Sequence, residues 1–166
     1  MQGEKEMKQE HIYYISGIIA GALVVYLTTR YFNNRFDLSL FDSPDKVGSG
    51  KEMNLQFLKM LKKAERYAGF KFEYNSAFRT KSHNKIVGGV ADSSHTKGLG
   101  VDIKANSIKQ RDIVVEAARK AGFKRIGIAN TFVHLDNDLT KPLYVAWGYP
   151  QGKDAPYDPF ERRRAA

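Results

Sequence analysis

The chain has 166 residues, enough for one compact core and a small appendage, and its 42% hydrophobic and 12% aromatic content is that of a folded protein. With no cysteine there is neither a disulfide framework nor a thiolate metal site, so any metal must be held by histidine and carboxylate. The net charge of +9 favours polyanionic surroundings, but its cations are scattered apart from Arg162-Arg163-Arg164, and no aromatic-and-basic stripe or nucleic-acid motif accompanies them.

Residues 1–11 read as a polar tail. Residues 12–29 carry no charge and are mostly Ile, Val, Leu, Ala, Gly and Tyr. As a helix they would be about 27 Å long, which matches a hydrocarbon core, and Tyr13, Tyr14, Tyr26, Tyr31 and Phe32 bracket them as interfacial anchors would. A cleaved signal peptide ending at Ala20-x-Ala22 and a buried core helix are the competing readings. Glu4, Glu6 and Glu10 argue against a basic leader, and the downstream domain looks complete without another helix. The expectation is a single transmembrane helix in contact with lipid, with Gly17-x-x-x-Gly21 offering a weak self-association face.

Residues 30–36 form a linker, and the turn formers Ser43-Pro44-Asp45 and Gly48-Ser49-Gly50 follow. Leu55, Leu58, Leu61 and Ala64 predict a helix over residues 52–68, ended by Gly69. Residues 70–74 alternate as a short strand. A long polar loop leads to residues 99–104, where Val101 and Ile103 share one face and Asp102 the other. Ser107-x-x-Gln110 is a capping box for a second helix, with Ile113, Val114, Ala117 and Ala121 as its face and Gly122 as its stop. Residues 125–128 and 131–137 complete the expected sheet, and residues 151–166 read as a basic tail.

The polar loop carries Ser76-x-x-Arg79-x-x-x-His83-Asn84, then Gly88-Gly89, Ser93-x-His95-x-x-Gly98 and Asp102, and His134-x-Asp136 follows further on. Two imidazoles and a carboxylate, His95, Asp102 and His134, make a divalent-metal set with a fourth tetrahedral position open for water, the arrangement of catalytic zinc. On the last strand Phe132, His134 and Asp136 alternate onto one face while Val133 and Leu135 point to the core. A set of ordinary buried histidines beside a turn aspartate is the bland alternative, and the joined spacing argues against it.

Over roughly residues 37–149 these motifs closely resemble the M15 zinc peptidases that cut peptidoglycan stem peptides, especially the short phage and bacterial forms. The resemblance implies an α+β fold of the hedgehog/DD-peptidase type, a small antiparallel sheet with helices on one face, within a domain set at residues 37–150. It places zinc (Zn2+) on His95, Asp102 and His134. It also implies that Arg79 holds or polarises the substrate peptide and that Ser93 donates to the same region. His83 and Asn84 resemble the family's loop pair and could equally serve only to hold that loop. Trp147-Gly148-Tyr149 resembles the family's C-terminal end, lining a groove or packing under the sheet. One departure stands out: many M15 enzymes place a carboxylate base three residues before the last histidine ligand, and here that residue is Thr131. Asp136 then becomes either the general base or the carboxylate that orients His134.

The expected protein is a membrane-anchored zinc peptidase of stem peptides, with its domain outside the cytoplasm or on a virion membrane, and of phage or virion origin. The alternative class is a catalytically inactive, zinc-stabilised binding or structural module, as in the hedgehog signalling domain that shares this metal-site architecture. The resemblance leaves the bond cut, and internal or terminal cleavage, unassigned.

Overall fold

Alternating burial along three strands sets the architecture. Val101 and Ile103, Ile126 and Ile128, and Val133 and Leu135 are all 3% exposed or less, and their neighbours in sequence face the opposite side. In the computed structural model, which describes residues 36–150 and 152–161, the strands are β1 (Tyr74–Ser76), β2 (Gly100–Lys104), β3 (Arg125–Ile128), β4 (Phe132–Asp136) and β5 (Val145–Gly148). The described residues from Leu38 onward belong to one compact unit. The sheet order is β1-β2-β4-β3-β5.

Two amphipathic helices cover the apolar face, α1 (Leu55–Ala68) and α3 (Ile108–Ala121). The Asn54 side chain accepts from the N–H groups of Gln56 and Phe57, so α1 starts three residues later than its apolar spacing predicts. Residues Ser49–Glu52 before it form a separate 3-10 turn. Gly69 ends α1 as expected, at φ 79°. Ser107 caps α3 by accepting from Gln110 N–H, while the Gln110 side chain reaches back to Asn106 N–H rather than to Ser107 itself. Phe57 of α1 meets Phe123 edge to face at 5.5 Å, and both rings are buried.

The architecture is α+β as expected, but the sheet is mixed rather than purely antiparallel: β5 runs parallel to β3. The cause is the β3–β4 pairing. It sets Asp136 at the end of β4 opposite Arg125 at the start of β3, so a chain returning past β3 on its free edge must run in the same direction as β3. The first strand is also displaced from residues 70–74 to Tyr74–Ser76. The Glu65 carboxylate accepts from Phe72 N–H at 3.1 Å and Tyr74 hydroxyl at 3.3 Å, which ties residue 72 to α1 instead of to a neighbouring strand. Within the polar loop lies an unexpected short helix, α2 (Lys81–Ile86), capped by Thr80. Part of the expected C-terminal tail belongs to the folded domain: Phe160 is 2% exposed and its ring lies 6.0 Å from Tyr144.

The membrane-spanning helix is corrected. Among the described residues no helix is long and apolar enough to cross a membrane. The longest, α1 and α3, have 14 residues each, about 21 Å against a hydrocarbon core of ~30 Å. The stretch 12–29 on which that expectation rested lies outside the described residues. The lipid contact, the helix-mediated self-association and the extracytoplasmic or virion setting are withdrawn with it.

The core makes a direct prediction. Phe57→Ala should lower unfolding stability by about 3–5 kcal/mol in chemical denaturation, because it empties a site sealed by Phe123.

Candidate metal centre

The polar face of the sheet carries a single cross-strand row. Ser76 of β1 pairs with Asp102 of β2, Asp102 with His134 of β4, His134 with Gly127 of β3, and Gly127 with Trp147 of β5. The strands alone therefore bring Asp102 and His134 side by side. His95 arrives from the preceding loop, in a 3-10 turn over Ser94–Lys97. That turn closes at Gly98, which has φ 66°, and a Cβ there would lie 2.2 Å from Glu52 O. Only glycine lets the chain pass so close. The Gly98 carbonyl then accepts from Asn54 N–H at 3.0 Å, tying the histidine turn to the start of α1.

Three donor atoms converge. His134 Nδ1 is 2.8 Å from Asp102 Oδ1 and 3.2 Å from His95 Nε2, and His95 Nε2 is 3.4 Å from Asp102 Oδ1. One ligand atom from each residue lies within 4.8 Å of the others, and all three residues are buried. The outward-facing atoms are also engaged. His95 Nδ1 lies 2.6 Å from the Ala77 carbonyl, which can only accept, so the proton sits on Nδ1 and the Nε2 lone pair faces inward. Asp102 Oδ2 accepts from Arg79 Nη2 at 2.7 Å, and Arg79 Nε donates to Ser76 Oγ at 2.8 Å. His134 Nε2 lies 3.3 Å from Asp136 Oδ2. Asp136 Oδ1 in turn accepts from Arg125 Nε at 2.7 Å and from Asp138 N–H at 3.1 Å. The donor chemistry, two imidazole nitrogens and one carboxylate oxygen facing a common point, fits a divalent cation.

A sequence profile of the Peptidase M15 family matches residues 35–136, a stretch that contains all three ligand residues. The chain belongs to the Peptidase M15 family. Its His-Asp-His cluster is consistent with the active site of a zinc metallopeptidase. No curated protein matches the chain.

The M15 cluster lines a cavity of about 320 Å³ together with Arg79, Ser93, Phe132 and Asp136. Ser93 is buried at its edge. His83 lies on α2 and lines an adjoining cavity that shares Arg79, Asp102 and Phe132 with the first. Asn84 is buried and donates from Nδ2 to the Val90 carbonyl at 2.9 Å. Thr131 is exposed at the start of β4. The sequence reading passed over Arg125 and Lys141, which also line the cleft. Arg125 was accessible in principle: two residues before Gly127 on an alternating strand, it shares the face that carries Asp136.

Electrostatics separates the two histidines. Burial pushes the His95 imidazolium down and outweighs the pull of Asp102, which leaves its ring neutral and ready to ligate. Burial acts the same way on His134, but hydrogen bonds to Asp102 and Asp136, and their charge, override it and raise its pKa to about 9. Burial also works against the Asp102 carboxylate, yet the hydrogen bond from the protonated His134 outweighs it and holds the group well below the usual range.

In the metal-free M15 protein, His134 is therefore a proton-holding centre. Its stabilisation is fully present below the unfolded value near 6.5 and is lost as pH rises through about 9. A cation must displace that proton, so zinc affinity should rise about tenfold per pH unit from pH 7 toward 9 and then level off. Melting of chelator-treated protein should fall across the same window. Both can be followed through Trp147, the one tryptophan of the chain, whose ring centre is 5.5 Å from that of His134. A pH-independent affinity would contradict the assignment.

Proposed function

We propose that the domain is a zinc-dependent peptidase that hydrolyses a peptide bond in peptidoglycan stem peptides. The observation that carries this reading is the convergence of His95 Nε2, Asp102 Oδ1 and His134 Nδ1 at the floor of an open cleft. Three protein ligands leave a coordination position for chemistry, which structural zinc sites do not. The cleft also bears Arg79, Arg125 and Lys141, a cationic lining suited to the carboxylates of a stem peptide.

When bound, zinc supplies Lewis-acid polarisation of a carbonyl and lowers the pKa of water. The chain's own residues then have distinct tasks. Arg79 fixes Asp102 through Oδ2 so that Oδ1 faces the cluster, and with Nη2 and Nε committed to Asp102 and Ser76 it contributes mainly positive charge at the cleft wall beside a substrate carbonyl. Ser93 offers a hydroxyl at the same wall. We assign Asp136 the orienting role rather than that of general base. Its oxygens are committed to His134 Nε2 on one side and to Arg125 and Asp138 N–H on the other.

One observation favours a zinc-stabilised binding module instead. Thr131 occupies the position where a carboxylate base would stand, and the two carboxylates lining the cleft, Asp102 and Asp136, are both already engaged. Incubating the purified chain with muropeptides and zinc, and reading products by mass spectrometry, decides between the two. The peptidase reading requires two products whose masses together equal the substrate plus one water, from cleavage of a single peptide bond, abolished by chelator and by His95→Ala. Intact muropeptides in the presence of bound zinc would support the binding module.

Asp136→Asn tests the orienting role within the same assay. It should weaken zinc affinity about 10–100-fold, with turnover largely restored by excess metal. A turnover loss of about 10²-fold or more at full zinc occupancy would instead make Asp136 the base.

A further inference from the structure

We propose that Tyr149 is a catalytic hydrogen-bond donor, its phenol binding the carbonyl oxygen of the peptide bond being cut. The inference rests on the peptidase reading above and adds a residue that lies beyond the stretch matched by the family profile, which ends at Asp136.

The position of the ring is built into the sheet. Tyr149 packs against Phe132 with centroids 4.8 Å apart, and Phe132 shares a strand face with His134. A Cβ on Gly127, the residue paired with His134 on the next strand, would stand 2.8 Å from Tyr149 Cε2 and equally close to Trp147 Nε1. Any side chain at 127 would push both rings off the sheet. Tyr149 therefore lies over the row of site residues and lines the same cleft as His95, Asp102 and His134. The charged groups that act on its phenol are Asp102, Arg79 and Asp136, a ligand and the two side chains that brace the ligands.

The direction of the phenol proton follows from its neighbour. Trp147 Nε1 is buried and has no hydrogen-bond partner among the described residues, and the Tyr149 phenol is a polar group beside it. An indole N–H can only donate, so the phenol oxygen is the acceptor that would satisfy it. Leaving a buried donor orphaned is costly, which favours a small adjustment of the phenol onto the indole. The phenol would then be left with its own proton free for the cleft. A neutral donor fixed before the reaction, aimed where negative charge develops on a carbonyl oxygen, is the arrangement that stabilises an oxyanion. Burial pushes the Tyr149 phenol above the ordinary value of about 10, so it is protonated at neutral pH, donates here and does not act as a base. Arg79 alone is a weak candidate for that task, because one arm of its fork is already held by Asp102.

Tyr149→Phe in the full chain removes the hydroxyl while keeping the ring on Phe132 and Gly127. Zinc affinity, read from Trp147 fluorescence, should stay within about twofold of wild type, since the phenol is not a ligand. With muropeptide substrate, kcat should fall about 10²–10³-fold with KM nearly unchanged, the pattern for loss of one oxyanion donor. Affinity for a phosphinate stem-peptide analogue, whose tetrahedral anionic oxygens imitate the transition state, should fall by a similar factor. Equal kcat and equal phosphinate affinity in wild type and Tyr149→Phe would overturn the role of Tyr149 while leaving the peptidase reading intact. Loss of zinc together with activity would also overturn it, by making the residue a support of the metal site. Absence of hydrolysis by zinc-loaded wild type would overturn both.

Discussion

The site depends on the register of β2 against β4. Asp102 faces His134 because Gly100 pairs with Asp136 and Lys104 with Phe132. Side chains alternate along a strand, so a slip of one residue would send His134 into the apolar core and Val133 to the cleft. The apolar half of the pattern enforces the polar half. Val101, Ile103, Val133 and Leu135 are each wholly buried, and a one-residue slip of β4 would turn Val133 and Leu135 out of the core. The same row extends through Gly127, where the absence of a side chain leaves room for Trp147 and Tyr149 above the ligands. Core packing and site geometry are thus two faces of one set of strand pairings.

A metal site built this way must hold its donors together before the cation arrives, and the surrounding charges do so. Asp102 is flanked by Arg79 on one oxygen and by both histidines on the other. Asp136, paired with Arg125, holds the far nitrogen of His134. Asp102 and Asp136 thus each have an arginine behind them and an imidazole before them, which offsets the cost of taking those charges out of water. The loop after β4 adds a further brace, because Asp138 donates its N–H to Asp136 while its own carboxylate takes Lys97 at 2.7 Å. These contacts fix which nitrogen of each histidine points inward. The ligand set is therefore specified at the level of atoms as well as residues.

Much of this was legible in the sequence because it is local or periodic. Ser107 and Gly122 marked α3, Gly69 ended α1, and the alternation around Asp102 and His134 gave two strands and the face each would show. The three ligands could be named because their spacing is distinctive and is shared with a known family. What escaped depends on contacts between distant residues. The start of β1 was misplaced because a carboxylate on α1 captures Phe72 N–H. The parallel pairing of β5 follows from which edge of β3 remains free, a property of topology that no short window contains. Helix α2, with six residues and one buried position, has too little periodicity to register. Arg125 and Lys141 read as ordinary surface cations until β3 and the loop after β4 brought them to the cleft.

The most direct test of the account is an anomalous-scattering map at the zinc edge from crystals of the zinc-loaded protein. The account predicts one peak per chain, bonded to His95 Nε2, Asp102 Oδ1 and His134 Nδ1 at about 2.0–2.2 Å, with Asp136 on the far nitrogen of His134 and outside the coordination shell. A peak at any other cluster, or one bound through His134 Nε2 with Asp136 among its ligands, would contradict it.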